Sequence, residues 1–530
     1  MSKPIGIDLG TTYSAIAGWK DSGLELGPTC YHFPQECKYY IASKIFIPDF
    51  NDKENVMYGS GAIKHCLTAP DKFYSAFKRG MDDNTPFENE HGEITPIELS
   101  SMLLKHMFKA AVNPVEGADF IPEGVVVSVP YYFTERPKEN TCTSLSIALE
   151  GVYGEHMEYE DSLNLKTVPE PIAAGLDYAF SFSDSIKHQN ILIFDLGGGT
   201  FDVTIYELKN SLNDKKLEFT VLATDGDARL GGEDFDASIR RFILEKNGID
   251  VNMEKDPKYK NSYASLYLET TDAKCILSSV SSTSVIVNGF YDQPMLNFTL
   301  TDKHIEKILR GEEGLKKDYI SKIEDIVDRC LNKAELKRQM IDRVVPVGGS
   351  SNIPCIRKML EQKFGSDKMY QSPKPSETVA RGACIYAAYF LDKSNANNPD
   401  YHRHLHYWDD IIIRPKTAHN LGIITDTNRV DTIISSNKFT PISGTRVYRP
   451  SKLSADGATA SIDSLTVKQG NDIIGSIPIP TIYTHGRIKK DILISVTLLA
   501  EATNVKVIIN VPQGNEDGSD LHTEGQIQFS

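Results

Sequence analysis

Short apolar runs alternate with stretches of helical periodicity from the N-terminus to about Leu391, and beyond Lys416 only the short runs continue. Ile191 to Phe194 and Thr200 to Ile205 are brief, rich in β-branched residues and separated by glycines, which predicts two buried strands of a hairpin. Further strands are expected within Ile41–Tyr58, at Val125–Val129 before Pro130, around Phe219–Ala223, within Ser284–Thr299 and at Arg343–Val347. Helices are expected at Gly59–Arg79, at Ile94–Ala111 (opened by Thr95-Pro96), from Glu135 and from Asp234. The same pattern covers Ser262–Ser279, Thr301–Ile308, Leu315–Ala334, Pro354–Phe364 and Thr378–Leu391. Thr167–Gly175 reads as a loop entering a helix. Strands alternating with helices predict a two-lobed α/β domain over residues 1–393.

Lys393–Asp400 is rich in Asn and Ser and marks a boundary, with a linker over residues 394–415. The isoleucines of Asp409-Asp-Ile-Ile-Ile413 are costly to expose. They either dock on a neighbouring surface or begin the next domain's first strand. Residues 416–530 carry apolar runs at Asn420–Thr425, Val430–Ser435, Thr445–Tyr448, Ser461–Val467, Ile473–Ile479, Asp491–Leu499 and Val505–Val511, the spacing of a β-sandwich.

The chemistry gathers at the glycines. Gly197, Gly198 and Gly199 let a ligand approach the backbone and offer unobstructed N–H groups to an anion. Asp195 and Asp202 bracket that turn, and Thr200 adds a hydroxyl, a combination suited to a metal-bound nucleotide. Ile5-Gly-Ile-Asp-Leu-Gly-Thr-Thr-Tyr13 repeats the plan, with Asp8 and Gly10 followed by Thr11 and Thr12. Two such units imply two facing lobes, each giving one carboxylate and one phosphate-binding turn.

Bulk properties narrow the choice. At 530 residues the chain has room for several domains, and 40% hydrophobic with 24% charged residues is ordinary for a globular protein. A net charge of −15 argues against a nucleic-acid partner, and no apolar run is long enough to span a membrane. Eight scattered cysteines without a CxxC pair fit a reducing compartment. No signal segment opens the chain, so the cytoplasm is the expected location.

The motifs resemble those of the heat-shock protein 70 (DnaK-type) chaperone family. They are Gly6-Ile-Asp-Leu-Gly-Thr-Thr-Tyr-Ser14, Val126-Val-Ser-Val-Pro-Tyr-Tyr-Phe133, Pro169-Glu-Pro171, Ile193-Phe-Asp-Leu-Gly-Gly-Gly-Thr-Phe-Asp-Val203, Leu230-Gly-Gly-Glu-Asp-Phe-Asp236 and Val347-Gly-Gly-Ser-Ser-Asn-Ile-Pro354. The resemblance implies an actin-like ATPase with duplicated ribonuclease-H-like lobes, then a peptide-binding β-sandwich, here ending without the family's helical lid. It implies ATP or ADP with Mg²⁺ as cofactors. Asp8 and Asp195 would hold the metal largely through water, with Glu170 and Asp202 nearby. Thr11, Thr12, Tyr13 and the three glycines would cradle the phosphates. Lys78, in Ser75-Ala-Phe-Lys-Arg79, and Thr200 would face the γ-phosphate and the attacking water. Gly231, Gly232, Glu233, Lys274, Ser278, Gly348, Gly349 and Ser350 would complete the nucleotide pocket.

The adenosine end departs from the family. Thr271 stands where a ribose-binding glutamate is usual, Cys275 and Asn352 where arginines stack on the base, and Ser376 where an aspartate is usual. Two lost guanidinium planes remove about 0.5–2 kcal/mol of stacking each. Pro130 is kept in the family's relay, but Lys138 takes the arginine's place, with Arg136 two residues earlier. His402, His404 and His406 alternate. On a strand they would share a face fit for Zn²⁺ or Ni²⁺, and on an exposed linker they are three polar residues.

The expected function is a chaperone-like ATPase that couples nucleotide state to binding of extended peptides or one protein client, with co-chaperones or exchange factors as further partners. The alternatives are an interaction scaffold with a weak, non-hydrolysing nucleotide site, and a small-molecule kinase of the same superfamily.

Overall fold

The computed structural model describes residues 4–528 apart from 22–26, 51–54, 68, 90–91, 118–119, 155–163, 183–187, 212, 251–252, 254–255, 371, 400, 415, 417–418, 425–428, 437, 439, 441, 451, 462–464, 471, 480 and 501–503. Its contacts gather into two compact units, residues 1–131 with 140–412, and residues 132–139 with 413–530. A mixed α/β N-terminal region is followed by one dominated by sheet.

The first unit holds two sheets of one plan. In the first, Pro4–Asp8 (β1) and Tyr13–Lys20 (β2) form a hairpin and Gly27–Cys30 (β3) adds beside β2. Gly124–Val129 (β4) lies parallel to β1, and Asn164–Pro169 (β5) parallel to β4. In the second, His188–Leu196 (β6) and Phe201–Ser211 (β7) form the hairpin, extended by Lys216–Asp227 (β8). Arg343–Val347 (β9) lies parallel to β6, and Asp410–Arg414 (β10) pairs beside β8 at the far edge. The central strands are buried along nearly their whole length, as parallel neighbours covered on both faces must be. The helices that matter for the site are Glu170–Ser181 (α1), Gly232–Lys246 (α2), Lys260–Ile276 (α3), Pro354–Phe364 (α4) and Thr378–Ser394 (α5).

The register makes the repeat explicit. Each hairpin pairs its aspartate with the residue seven positions on, Asp8 with Ala15 and Asp195 with Asp202. Only the second hairpin carries a carboxylate on both strands.

Two local expectations change. The helix from Gly59 stops at Cys66, because Pro70 opens a 3₁₀ turn, and the chain then forms strand Phe73–Ser75 and a second 3₁₀ turn, Phe77–Gly80. Lys78 therefore sits on a tight turn rather than a helix. The expected loop at Thr167–Gly175 is strand up to Pro169 and helix from Glu170, since β4 supplies ladder partners and Pro171 suits a first helical turn. The Thr95 opening is a full capping box: Thr95 Oγ1 accepts from the Glu98 N–H at 3.2 Å, and Glu98 accepts from the Thr95 N–H at 2.8 Å. The isoleucine run, for which two outcomes stood open, docks: it forms β10 and buries Ile411.

In the second unit Leu421–Ile424 (β11), Val430–Ile434 (β12), Leu465–Gln469 (β14) and Asp472–Ile477 (β15) form one antiparallel sheet in the order β12-β11-β14-β15. Ile442–Tyr448 (β13), Ile494–Ala500 (β16), Asn504–Val511 (β17) and Leu521–Gln528 (β18) form another in that order. Strict alternation of buried and half-buried residues in β16 turns Ile494, Val496 and Leu498 into a core shared with Leu421, Val467, Val507 and Ile509. Thr425 and residues 462–464, parts of two expected strands, lie outside the described residues. Among the described residues no helix is long and apolar enough to cross a membrane.

Candidate functional site

The two hairpin turns meet in the first unit. Two of the glycines allow this approach: a Cβ on Gly198 would stand 1.7 Å from Thr12 Oγ1, and one on Gly199 would stand 2.8 Å from Thr11 Oγ1. Each glycine carbonyl of the second turn is held from outside. Gly197 O accepts from Ser350 Oγ at 2.9 Å and the Gly232 N–H at 3.1 Å, Gly198 O from the Glu233 N–H at 2.7 Å, and Gly199 O from Arg79 Nη2 at 2.6 Å. A trans peptide sets each N–H opposite its carbonyl, so the amides of Gly198, Gly199 and Thr200 turn away from these partners. Successive amides turned one way suit a phosphate. The free amides at the start of α2 are thus used to hold the glycine loop. In the first turn the Gly10 N–H donates to Ser14 Oγ at 3.2 Å, and Gly10 O accepts from Ser43 Oγ at 2.7 Å.

Beneath the turns lies a buried charge cluster. Asp8 ends β1, Asp195 and Asp202 face each other across the β6–β7 pair, and Glu170 is the first residue of α1. Lys78 Nζ donates to Glu170 Oε1 at 2.5 Å, and Ser128 Oγ to Asp8 Oδ1 at 3.2 Å. Lys78, Glu170, Asp195 and Asp202 are each no more than 8% exposed. Burial, with Glu170 as neighbour, pushes Asp8 up to about 7. Burial, then Glu170 and one further carboxylate, raises Asp195 and Asp202 well above the usual range, while Lys78 pulls all three down. Four carboxylates around one ammonium are short of positive charge, and Asp202 Oδ2 is buried without a hydrogen-bond partner. The set fits a divalent cation. Among the described residues no three His, Cys, Asp or Glu side chains converge as direct metal ligands.

The far end of the pocket is built differently. Lys274 Nζ donates to Asp236 Oδ2 at 2.8 Å and Gly232 O at 3.0 Å, and Thr271 Oγ1 donates to the same Asp236 oxygen at 3.2 Å. Lys274, Ser350 and Gly232 therefore meet. Cys275 is exposed, Ser278 and Gly348 are half-buried, and open space surrounds Gly349. Asn352 turns back on Gly349 O at 3.4 Å, and Ser376 is exposed. Tyr13 is 40% exposed, with its ring edge-on to Tyr40 at 5.2 Å. Glu233 turns from the phosphate turns to Lys44 Nζ at 3.4 Å and the Tyr267 hydroxyl at 3.2 Å.

The sequence profile described as "Hsp70 protein" matches residues 60–473, well over half of the chain. The chain belongs to the Hsp70 family. It is 29% identical over 462 residues to the chaperone protein DnaK of Elusimicrobium minutum, covering 84% of this chain and 65% of that protein. It is 28% identical over 463 residues to the chaperone proteins DnaK of Thermosipho africanus and Thermosipho melanesiensis, covering 86% of this chain and 68% of each. This Hsp70 chain thus spans about two thirds of the length of these relatives.

Two contributors to the Hsp70 site escape sequence reading. Arg79, next to Lys78, bridges Gly199 O and Asp234 Oδ2, the latter at 2.8 Å, and so ties the 3₁₀ turn to the glycine loop and the start of α2. Its signal was the Lys-Arg pair itself. Lys44 is 5% exposed inside an apolar strand and carried none. The histidine trio does not form a metal face. Residues 401–408 are not a strand, and His404 turns inward to Asp392 while His402 and His406 stay exposed.

Proposed function

We propose that this Hsp70-family chain is a chaperone-type ATPase. Residues 1–393 would form the actin-like nucleotide-binding domain, 394–415 the linker, and 416–530 a β-sandwich that takes extended peptide or a protein client. The observation that carries the reading is the cluster of half-buried Asp8 with buried Glu170, Asp195, Asp202 and Lys78 below two glycine-containing turns. The eight cysteines form no disulfide among the described residues, which fits a reducing compartment such as the cytoplasm.

ATP is the substrate, and bound Mg²⁺ would supply charge neutralisation on its phosphates, held through water by Asp8 and Asp195. The rest falls to the chain. Thr11, Thr12 and the amides of Gly198, Gly199 and Thr200 fix the phosphates. Lys78, held in place by Glu170, presents its ammonium to the γ-phosphoryl oxygens and the incoming water. That water forms the new P–O bond as the bond to ADP breaks, and positioning with charge stabilisation is the whole of the catalysis required.

Calorimetric titration of ADP and ATP with Mg²⁺, on wild type and Lys78→Ala, tests the reading together with single-turnover hydrolysis. Micromolar or tighter binding with hydrolysis lost in Lys78→Ala is expected. The exposed Cys275 and the back-bonded Asn352 favour a second reading, a scaffold that kept the fold. Absence of binding at millimolar nucleotide would establish that one instead.

A further inference from the structure

The helix Pro96–Met107 runs on into a wider turn, Phe108–Val112, in which the Asn113 N–H reaches back five residues to Phe108 O. Such π-type turns are rare and recur at functional sites. Here the turn stands beside a pocket of about 110 Å³. Ala110 of the wide turn, His106 just before it, Ile41, Phe33, Gln35 and Glu36 line that pocket. None of them belongs to the phosphate turns or to the carboxylate cluster. The rim is a tight loop: the Phe33 N–H donates to Lys38 O at 2.8 Å, and within it the Glu36 N–H donates to Phe33 O at 3.1 Å. Cys37 closes the loop at φ +52°, a left-handed backbone that few side-chain-bearing residues adopt.

The polar lining has bonding capacity to spare. Glu36 Oε1 accepts from the Ser60 N–H at 2.8 Å, the one side-chain bond of Glu36 among the described residues, which leaves its second oxygen unspent. The His106 ring lies flat against Tyr58, with centroids 4.2 Å apart and 15° between the planes. Neither of its nitrogens is hydrogen-bonded among the described residues. Burial pushes His106 down to about 4, so at neutral pH one ring nitrogen is a bare acceptor. The Gln35 carbonyl is a third acceptor. The lining holds no lysine or arginine. Lys38 is drawn over the Tyr40 ring at 5.2 Å and Lys105 lies against Gly151, so neither fills the space.

We propose that this pocket binds the ammonium head and short chain of a primary alkylamine. Three acceptors of different kinds meet the three N–H donors of an ammonium, and the buried Phe33 and Ile41 face the carbons. The charge-assisted bond to Glu36 offsets the loss of water around the cation. The volume of about 110 Å³ suits a chain of about four carbons, because an apolar cavity of about 150 Å³ takes a benzene ring. The same head and chain are carried by free amines and by lysine side chains. Nothing in this assignment depends on the nucleotide site.

The His106 ring signal of the full-length chain, made with isotope-labelled histidine and identified by its loss in His106→Leu, reads occupancy in solution. Titration with n-butylammonium should shift that signal saturably. Glu36→Gln still offers the Ser60 N–H an acceptor but removes the charge, and it should weaken binding about tenfold or more. Replacing the amine by n-butanol should weaken it as much. N-acetyl-lysinamide sorts the two sources: saturation at the same or a lower concentration than butylammonium assigns the pocket to a lysine side chain, and a weaker or absent response assigns it to a free amine. A His106 signal that butylammonium leaves in place would overturn the proposal. So would an equal shift in Glu36→Gln, which would reduce the effect to general attraction by an acidic protein, or butanol binding as tightly as the amine.

Discussion

Replacing Lys78 by methionine separates what the charge cluster does for stability from what it does for catalysis. Lys78 and Glu170 are 4% and 8% exposed and joined at 2.5 Å, so the substitution keeps the apolar stem and leaves a buried carboxylate uncompensated. Breaking a buried pair from one side costs about 3–5 kcal/mol. Three more carboxylates surround the lost ammonium, which places the expectation at the upper end. Urea unfolding in EDTA, followed by tryptophan emission, reads this directly, because Trp19 and Trp408 both belong to the first unit. The double variant Lys78→Met/Glu170→Gln removes the stranded charge and should regain most of the loss, with a coupling energy near the top of the usual range of about 0.5–3 kcal/mol. Hydrolysis should follow another rule. Single-turnover rates are expected to fall about 10²–10³-fold in the single variant and to stay low in the double, since neutralising Glu170 restores no cation to the phosphoryl oxygens. A single variant within about 1 kcal/mol of wild type would refute the charge-starved cluster. Hydrolysis within about threefold of wild type would remove Lys78 from the reaction.

Other outcomes follow from individual contacts. Gly348 has φ +79°, and a Cβ there would stand 2.4 Å from Leu196 O and 2.9 Å from Asp195 Oδ1. Gly348→Ala should therefore cost about 1–3 kcal/mol in thermal unfolding and weaken nucleotide binding with it. Arg487 donates to the carbonyls of Thr484, Pro512, Tyr483 and Gln513 at 2.9, 2.8, 3.2 and 2.6 Å, pinning two turns of the second unit together. Arg487→Ala should lower that unit's hydrogen-exchange stability by about 1–2 kcal/mol, with Arg487→Lys recovering less than half because an ammonium lacks the planar fork. The hydrogen bonds from His404, Tyr401 and the two backbone amides outweigh burial and hold Asp392 below the usual carboxylate value, with Arg403 also facing it. Because the folded value is the lower one, this stabilisation is complete above the ordinary carboxylate pKa of about 3.9 and is lost as pH falls through the folded value. Trp408 emission should be flat from neutral pH down to about 4 and shift red only below it, whereas Asp392→Asn should expose Trp408 across that whole range.

Local pattern carried much of the fold. The strand Arg343–Val347 and the helix Pro354–Phe364 lie where periodicity and Pro354 place them, and the two Asp-Leu-Gly turns stand at the ends of two like hairpins, because strand period, glycine turns and caps are written within a few residues. Family membership was legible for the same reason. Leu521–Gln528 was missed as a strand because it is an edge with only Leu521 and Ile527 buried among its described side chains, so its other positions carry no hydrophobic signal. The 3₁₀ turn that presents Lys78, the carbonyl-holding amides of Gly232 and Glu233, the reach of Arg79 and the burial of Lys44 are decided by partners far away in the chain. So is the seating of residues 401–409. Their histidines and Trp408 sit in a polar stretch that reads as a free tether, and only Asp392, Asn210, Phe180 and Trp19, brought together by helix and sheet packing, turn it into a buried one. Periodicity records which face of an element is apolar, but a polar side chain's partner is set by topology, and that is why the sequence determined the framework while the tertiary structure decided where its charges are spent.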